Sequence, residues 1–259
     1  MGAGTPSVSA CLIVRDEQEA IADCLRSVAP FVSEVVVVDT GSSDGTAEVA
    51  AGLGATVLHE SWSDDFSAAR NRALAACHGD WVLNVDADEI AVGVPGWLQV
   101  MLGECRDELD VLLVEIQQVG VGPSPSMHRE TKLLRRGTCR WTGRVHERLV
   151  PSGRRALRRA QLPAPTLHLD HHGYSDANVA RRKAIRNAAL ARLEYTELRV
   201  SDAADAEVAR AALDLGRSLL ASGDRTAAIQ WLRTARRSGD AFVHAWASSF
   251  LDRAAAPDE

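Results

Sequence analysis

Trp81-Val82-Leu83-Asn84-Val85-Asp86-Ala87-Asp88 is the stretch on which the fold turns. An apolar-biased run that stops at two carboxylates one residue apart reads as a buried strand leaving a sheet. Side chains alternate along extended backbone, so Asp86 and Asp88 point the same way and offer oxygen ligands to one hard cation. Magnesium or manganese held there can bind a diphosphate and stabilise the charge that develops as a nucleoside diphosphate departs. Taken alone, the triplet is equally a helix cap or an exposed turn, because Asp is common at strand ends.

The residues upstream decide between these. Ser9 to Val14 is a short apolar run, and Asp16 is expected to cap the next helix with Glu19 at the capping-box position. Ala20, Ile21, Cys24, Leu25 and Val28 then recur at helical spacing as far as Pro30. A β-branched run from Glu34 to Val38 ends at Asp39, and the loop Thr40 to Gly45 leads into a helix over Thr46 to Ala51. Thr56 to His59 reads as a third strand, and Phe66, Ala69, Ala73, Leu74 and Cys77 mark a helix face before the Trp81 strand. Strand and helix alternate throughout. This predicts a parallel, doubly wound sheet with its ligand at the carboxyl ends of the strands, where Arg15, Asp39 and Asp86 share one rim.

Downstream, Pro95 to Cys105 is expected to be helical, Val111 to Gln117 a strand, and the Gly- and Pro-rich Val119 to Ser126 a loop. His128 to Leu134 and Arg140 to Val150 are expected to pair and complete a mixed sheet. The basic run Arg154, Arg155, Arg158 and Arg159 reads as a solvated surface, with acceptor or membrane contact as the lesser alternative. After Tyr174 the composition shifts to Ala, Leu and Arg, and four helices are expected, over Asn178 to Leu198, Ala203 to Ala221, Arg225 to Ser238 and Ala241 to Ala254. Leu215, Gly216, Leu219, Ala228, Leu232 and Ala235 lie at offsets resembling a tetratricopeptide repeat. A single such repeat needs a neighbour: the long helix before it, or a second copy of the chain in a homodimer. The expected division is a catalytic domain over residues 1–175 and a helical region over 176–259.

A chain of 259 residues, 46% hydrophobic and 25% charged, can bury a full core, and a formal charge of -6 argues against nucleic acid as the partner. Five cysteines, odd in number and without C-x-x-C spacing, suggest neither a disulfide framework nor a zinc site, and fit a reducing cytoplasm. No apolar run approaches the roughly 18 to 20 residues that cross a bilayer. The first strand leads into Arg15-Asp16-Glu17-Gln18, which is acidic and free of glycine. This disfavours a nucleotidyltransferase loop and a dinucleotide-binding fingerprint.

Four blocks in order, Leu12 to Glu17, Val36 to Thr46, Asp64 to Asn71 and Trp81 to Glu89, resemble the family two inverting glycosyltransferases, which have the GT-A fold. With Lys132-Leu133-Leu134-Arg135, Gly143 to Glu147 and His171-His172-Gly173-Tyr174, the resemblance reaches nearly the whole chain and is strongest to the bacterial subgroup with C-terminal tetratricopeptide repeats. It implies an α/β GT-A domain followed by tetratricopeptide-like helices, and transfer of a sugar from a UDP-sugar to a hydroxyl or thiol by metal-assisted single displacement. It implies that Asp39 bonds the nucleotide base with Arg15 and Arg70 beside it, and that Val14, Glu17 and Ala87 also line the nucleotide. Asp86 then faces the ribose or the metal, Asp88 binds Mn2+ or Mg2+, and His171 completes the metal shell or touches the diphosphate. The sequence departs from the subgroup's Tyr-Gly-Tyr-like pattern by reading His-His-Gly-Tyr, which leaves His168 and His172 as alternatives. Glu147 is the expected base, with Asp170 in reserve. The acceptor class is a peptide, protein or glycan. The contrasting expectation is a catalytically inactive nucleotide-sugar-binding protein that works through its helices; the intact set Asp39, Asp86 and Asp88 speaks against it.

Overall fold

The computed structural model describes residues 5–105, 108–119, 126–172 and 177–255. The loop expected over Val119 to Ser126 falls largely outside these residues, and the boundary at 175/176 wholly so. The first half alternates strand and helix: β1 (Val8–Val14), α1 (Ile21–Val28), β2 (Glu34–Asp39), α2 (Thr46–Gly52), β3 (Thr56–His59), α3 (Phe66–Ala76) and β4 (Trp81–Asn84), with a short 3-10 helix at Ala29–Phe31. There follow β5 (Glu89–Gly93), α4 (Pro95–Glu104), β6 (Val111–Gln118), β7 (Met127–Arg135), β8 (Cys139–Thr142), β9 (Arg148–Pro151), β10 (Arg159–Gln161) and β11 (Leu167–His171). Four helices close the chain: α5 (Ala177–Val200), α6 (Asp205–Ser222), α7 (Arg225–Arg236) and α8 (Ala241–Ala255).

Among the described residues, nine strands form one sheet in the order β3-β2-β1-β4-β7-β6-β11-β5, with β10 beside the start of β6. The β3-β2-β1-β4 portion is parallel. It can be so because its strands are apolar on both faces. Leu12, Val37 and Leu83 pack on one side with Ile21 and Leu25 of α1. Cys11, Val36, Val38 and Val82 pack on the other with Ala73 of α3 and with Cys77, just past its end. Helices thus cover both faces, and the carboxyl ends of β1, β2 and β4 emerge together. From β7 onward the sheet is mixed, since β7 runs antiparallel to both β4 and β6, while β11 is parallel to β6 and antiparallel to β5.

Three expectations change. Asp16 does not cap α1: it has φ 54°, and its Oδ1 accepts from the Ser43 N–H at 2.7 Å. The helix begins at Ile21 without a side-chain cap from Ala20, so Glu19 has no capping partner there. The stretch Arg140 to Val150 does not pair with β7, because β4 and β6 occupy both of its edges; instead β8 and β9 pair with each other in a separate two-stranded sheet. The basic run is not merely solvated. Arg155 forms a fork on Asp110, 0% exposed, with N–O distances of 2.5 and 2.7 Å, and the Arg158 N–H adds a third bond at 2.8 Å. A buried carboxylate needs such pairing.

The chain divides into two compact units. One holds the residues up to Ser63, Ser67–Thr142 and the strands from Arg148 on; the other holds Asp64–Phe66, Gly143–Glu147 and the helices after residue 176. Within the second, α5 packs on α6, α6 on α7 and α7 on α8. Ala212, Leu213, Leu232, Ala235, Val243 and Ala247 form its core. Gly216 of α6 permits the approach of α7: a Cβ there would lie 2.8 Å from Leu232 Cγ and 3.1 Å from its backbone N. Gly216→Val is therefore expected to destabilise the helical unit by about 1–3 kcal/mol through overpacking, read as a lower midpoint in urea.

Candidate active site

The rim is built first by two loops bound to each other. Gln18 Oε1 accepts from the Gly45 N–H at 2.8 Å, the Gln18 N–H donates to Asp44 Oδ2 at 3.2 Å, and the Glu17 N–H donates to Thr46 Oγ1 at 2.8 Å. The segment Arg15 to Gln18 after β1 is in this way held against the loop after β2. Asp39, 3% exposed, ends β2, and its Oδ1 accepts from the Gly41 and Ser42 N–H groups at 2.8 and 2.7 Å. Gly41 has φ 102°, which explains the glycine at this turn. Asp39 Oδ2 has no partner among the described residues, and the residue lines a cleft of about 350 Å3 together with Gly41, Ser42, Asp44, Ala47, Glu48, His59, Glu60 and Ser61. Arg15 is exposed, its Nε 4.0 Å from Asp16 Oδ2.

At the end of β4 the two acids of the triplet separate in role. Asp86 Oδ1 lies 3.2 Å from Arg70 Nη2, and Oδ2 lies 3.1 Å from Lys132 Nζ. Arg70 is anchored in turn by Asn84 Oδ1 at 2.8 Å and by the Trp141 ring, whose centroid is 5.5 Å from the guanidinium carbon. Lys132 is 2% exposed and lies 2.7 and 2.9 Å from the two Glu89 oxygens. Glu89 Oε2 also accepts the Asp86 N–H at 2.9 Å. Desolvation works against ionised Asp86, but Lys132 and then Arg70 outweigh it and hold the carboxyl well below the usual range. Glu89 is pushed up to about 7 by burial, with Lys132 opposing and Asp86 adding to the rise. Desolvation also opposes the Lys132 charge, yet Asp86 and Glu89 raise its pKa above the ordinary lysine value.

Asp88 faces elsewhere. Its Oδ2 lies 3.2 Å from His171 Nε2, and its carbonyl accepts the His172 N–H at 2.9 Å. His171 Nδ1 meets Gln118 Oε1 at 2.9 Å, which orients the ring. The topology brings these residues together: β11 pairs with β6 and β5, so His171 stands opposite both Gln118 and Glu89. The bond to Asp88 raises the His171 pKa against the opposing effect of burial. Among the described residues no three His, Cys, Asp or Glu side chains form a metal cluster. A carboxylate oxygen and an imidazole nitrogen 3.2 Å apart are nevertheless donor types that suit a divalent cation. Asp86, expected as a further ligand, has both oxygens on cations. Asp170 lies 3.6 Å from His168, two residues away on the same face of β11 and opposite to the face of His171.

Glu147 belongs to the helical unit. Its segment is held tightly: the Arg144 N–H donates to Glu194 at 2.8 Å, and the Arg144 guanidinium grips Glu197 at 2.8 and 2.7 Å and the Asp64 carbonyl at 2.9 Å. His146 adopts φ 56°, and its Nε2 lies 2.8 Å from Ser218 Oγ; burial, then Arg217, lower its pKa to about 3. The charged neighbours of Glu147 include Arg186 and Arg217. The structure thus groups Asp86, Asp88 and His171 in one unit and places Glu147 in the other. Lys132 and Glu89 are site residues that sequence reasoning passed over. The available signal was an ionised residue followed by Leu133-Leu134 inside a strand.

Residues 9–187 match the family described as Glycosyl transferase family 2. The chain belongs to this family. A TPR repeat-containing protein of Synechococcus elongatus is 34% identical over 244 residues, which cover 92% of this chain and 59% of that one. The lipopolysaccharide core biosynthesis glycosyltransferase LpsC of Rhizobium meliloti is 32% identical over 158 residues, 56% of this chain and 58% of its own. This chain therefore spans less than two thirds of the curated relatives it matches. The crystal structure of S. aureus TarS has a TM-score of 0.55 at 18% identity and covers 93% of this chain and 50% of that one, a likeness of fold. The GT-A fold with C-terminal helices expected from the sequence is the one observed.

The raised pKa of His171 carries a sign. Its bond to Asp88 adds stability to the metal-free protein that is complete below about pH 6.5, the unfolded value, and is lost as pH rises through the higher folded value. NMR titration of the His171 ring is expected to give a pKa above 6.5 in the wild type, falling toward that value in Asp88→Asn.

Proposed function

We propose that this chain is an inverting glycosyltransferase that moves a sugar from a UDP-sugar to an acceptor hydroxyl or thiol. The observation that supports this reading is the shared rim: Asp39, the turn that carries Asp86 and the Asp88–His171 pair stand at the carboxyl ends of strands in a family two sheet. Asp39 supports a uracil base, because the loop uses one oxygen and leaves the other to accept a single imide N–H. Asp88 and His171 are the residues that would hold the cation, and an oxygen–imidazole pair favours manganese, with magnesium as the alternative. Bound there, the cation would neutralise the charge that grows on the departing diphosphate.

The chain's own groups do the rest. Arg70 and Lys132 fix Asp86, and Asn84 fixes Arg70, so the turn is rigid before a donor arrives. The acceptor oxygen or sulfur forms its bond to the anomeric carbon as the bond from that carbon to the diphosphate breaks. The acceptor proton passes to Glu147, and UDP leaves. Asp170 is the less favoured base, since its side chain shares a face with His168. The acceptor is a peptide, protein or glycan engaged with help from the helical unit, and a homodimer through those helices is part of the same reading. Five free cysteines support a cytoplasmic setting. Among the described residues no helix is long and apolar enough to cross a membrane.

Incubation with UDP-glucose and related donors plus manganese is expected to release UDP. Asp88→Ala is expected to lower that rate by about 100-fold or more, in line with several kcal/mol of charge stabilisation lost. Unchanged turnover in Asp88→Ala would overturn the assignment.

A further inference from the structure

Lys132 sits at an irregularity of its strand. In the pairing of β6 with β7, Leu112 stands opposite Leu133 and Leu113 opposite Thr131, so Lys132 is the extra residue of a bulge. The β4 ladder reaches only to Leu133. A bulge re-aims a side chain, and here it turns an ammonium 2% exposed onto Glu89 at 2.7 Å and Asp86 at 3.1 Å, with Glu130 3.6 Å away. Burying that charge is costly, and a hydrophobic residue would suit the sheet better unless the ammonium sets the arrangement of the acids around it.

We propose that Lys132 is a positioning residue that withholds Asp86 from the divalent cation, leaving Asp88 and His171 as the ion's protein ligands. The inference rests on the reading above that a cation binds at Asp88. With Lys132 on one oxygen and Arg70 on the other, Asp86 meets the ion only by giving up an ion pair. Glu89 is held by the same ammonium and accepts the Asp86 N–H, so the turn that presents Asp88 is pinned through both backbone and side chain. Without the ammonium, Asp86 Oδ2 loses its partner and swings to the ion as a substitute ligand.

The test is a calorimetric titration of Mn2+ into the full chain saturated with UDP. It compares wild type, His171→Ala, Lys132→Met and the double variant, with UDP release from UDP-glucose measured alongside. In the wild-type background, His171→Ala is expected to weaken Mn2+ by about 10- to 100-fold. In the Lys132→Met background the same change is expected to cost less than about threefold, because Asp86 takes over as ligand, while turnover at saturating Mn2+ falls by about tenfold or more. Lys132→Arg keeps the cation and is expected to keep the large dependence on His171. An equal factor for His171→Ala in both backgrounds overturns the proposal. Absence of Mn2+ uptake by the UDP-saturated wild type instead overturns the reading of the site itself. If circular dichroism shows Lys132→Met unfolded, Lys132→Met combined with Glu89→Gln removes the ammonium and its nearest counter-charge together, and carries the same comparison.

Discussion

One buried ammonium organises the centre of the first unit. Lys132 lies between Glu89 and Asp86, and through them it ties β7, β5 and the turn after β4 into one electrostatic knot. Charges removed from water are tolerated only when each finds partners, so the positions of three chain segments become mutually dependent. The strand ends, the Asp88–His171 pair and the register of β11 all adjoin this arrangement. A displacement of any one segment would strand a charge in a medium that cannot solvate it.

The parallel half of the sheet was legible because its signals are local and repeated. Val8–Val14, Glu34–Asp39 and Trp81–Asn84 are apolar on both faces, and the helices between them carry apolar stripes at helical spacing. The second half was less so. β7 is polar over its first residues, and only pairing at long range shows that β4 and β6 share it. Arg140 to Val150 looked like a partner for β7, yet a strand has two edges and both were taken. The misplaced cap at Asp16 has a similar cause: its carboxylate answers the Ser43 N–H, 27 residues away, instead of its own helix.

For the site, residue types at strand ends could be read directly, and Asp39 with Asp88 was named from the sequence. Which oxygen does what could not. Asp86 and Asp88 look equivalent one residue apart, and their difference arises from Lys132, 46 positions beyond Asp86, and from His171, 83 positions beyond Asp88. Sequence spacing carries no trace of such pairings. Arg154 to Arg159 illustrates the converse, since a charge run resembles a solvated face until a buried acid such as Asp110 is found beneath it.

The clamp on residues 143–147 bears on how this chain can be divided. The Arg144 guanidinium is gripped by Glu197 and its backbone N–H by Glu194, and His146 finds its hydroxyl partner in Ser218, all within the closing helices. A shortened form ending before Ala177 would retain the sugar-transfer motifs on paper while removing Glu194 and Glu197 from Arg144 and Ser218 from the left-handed His146. Residues 143–147 therefore belong structurally with the closing helices, and exchanging those helices for a relative's would have to carry Glu194, Glu197 and Ser218 along.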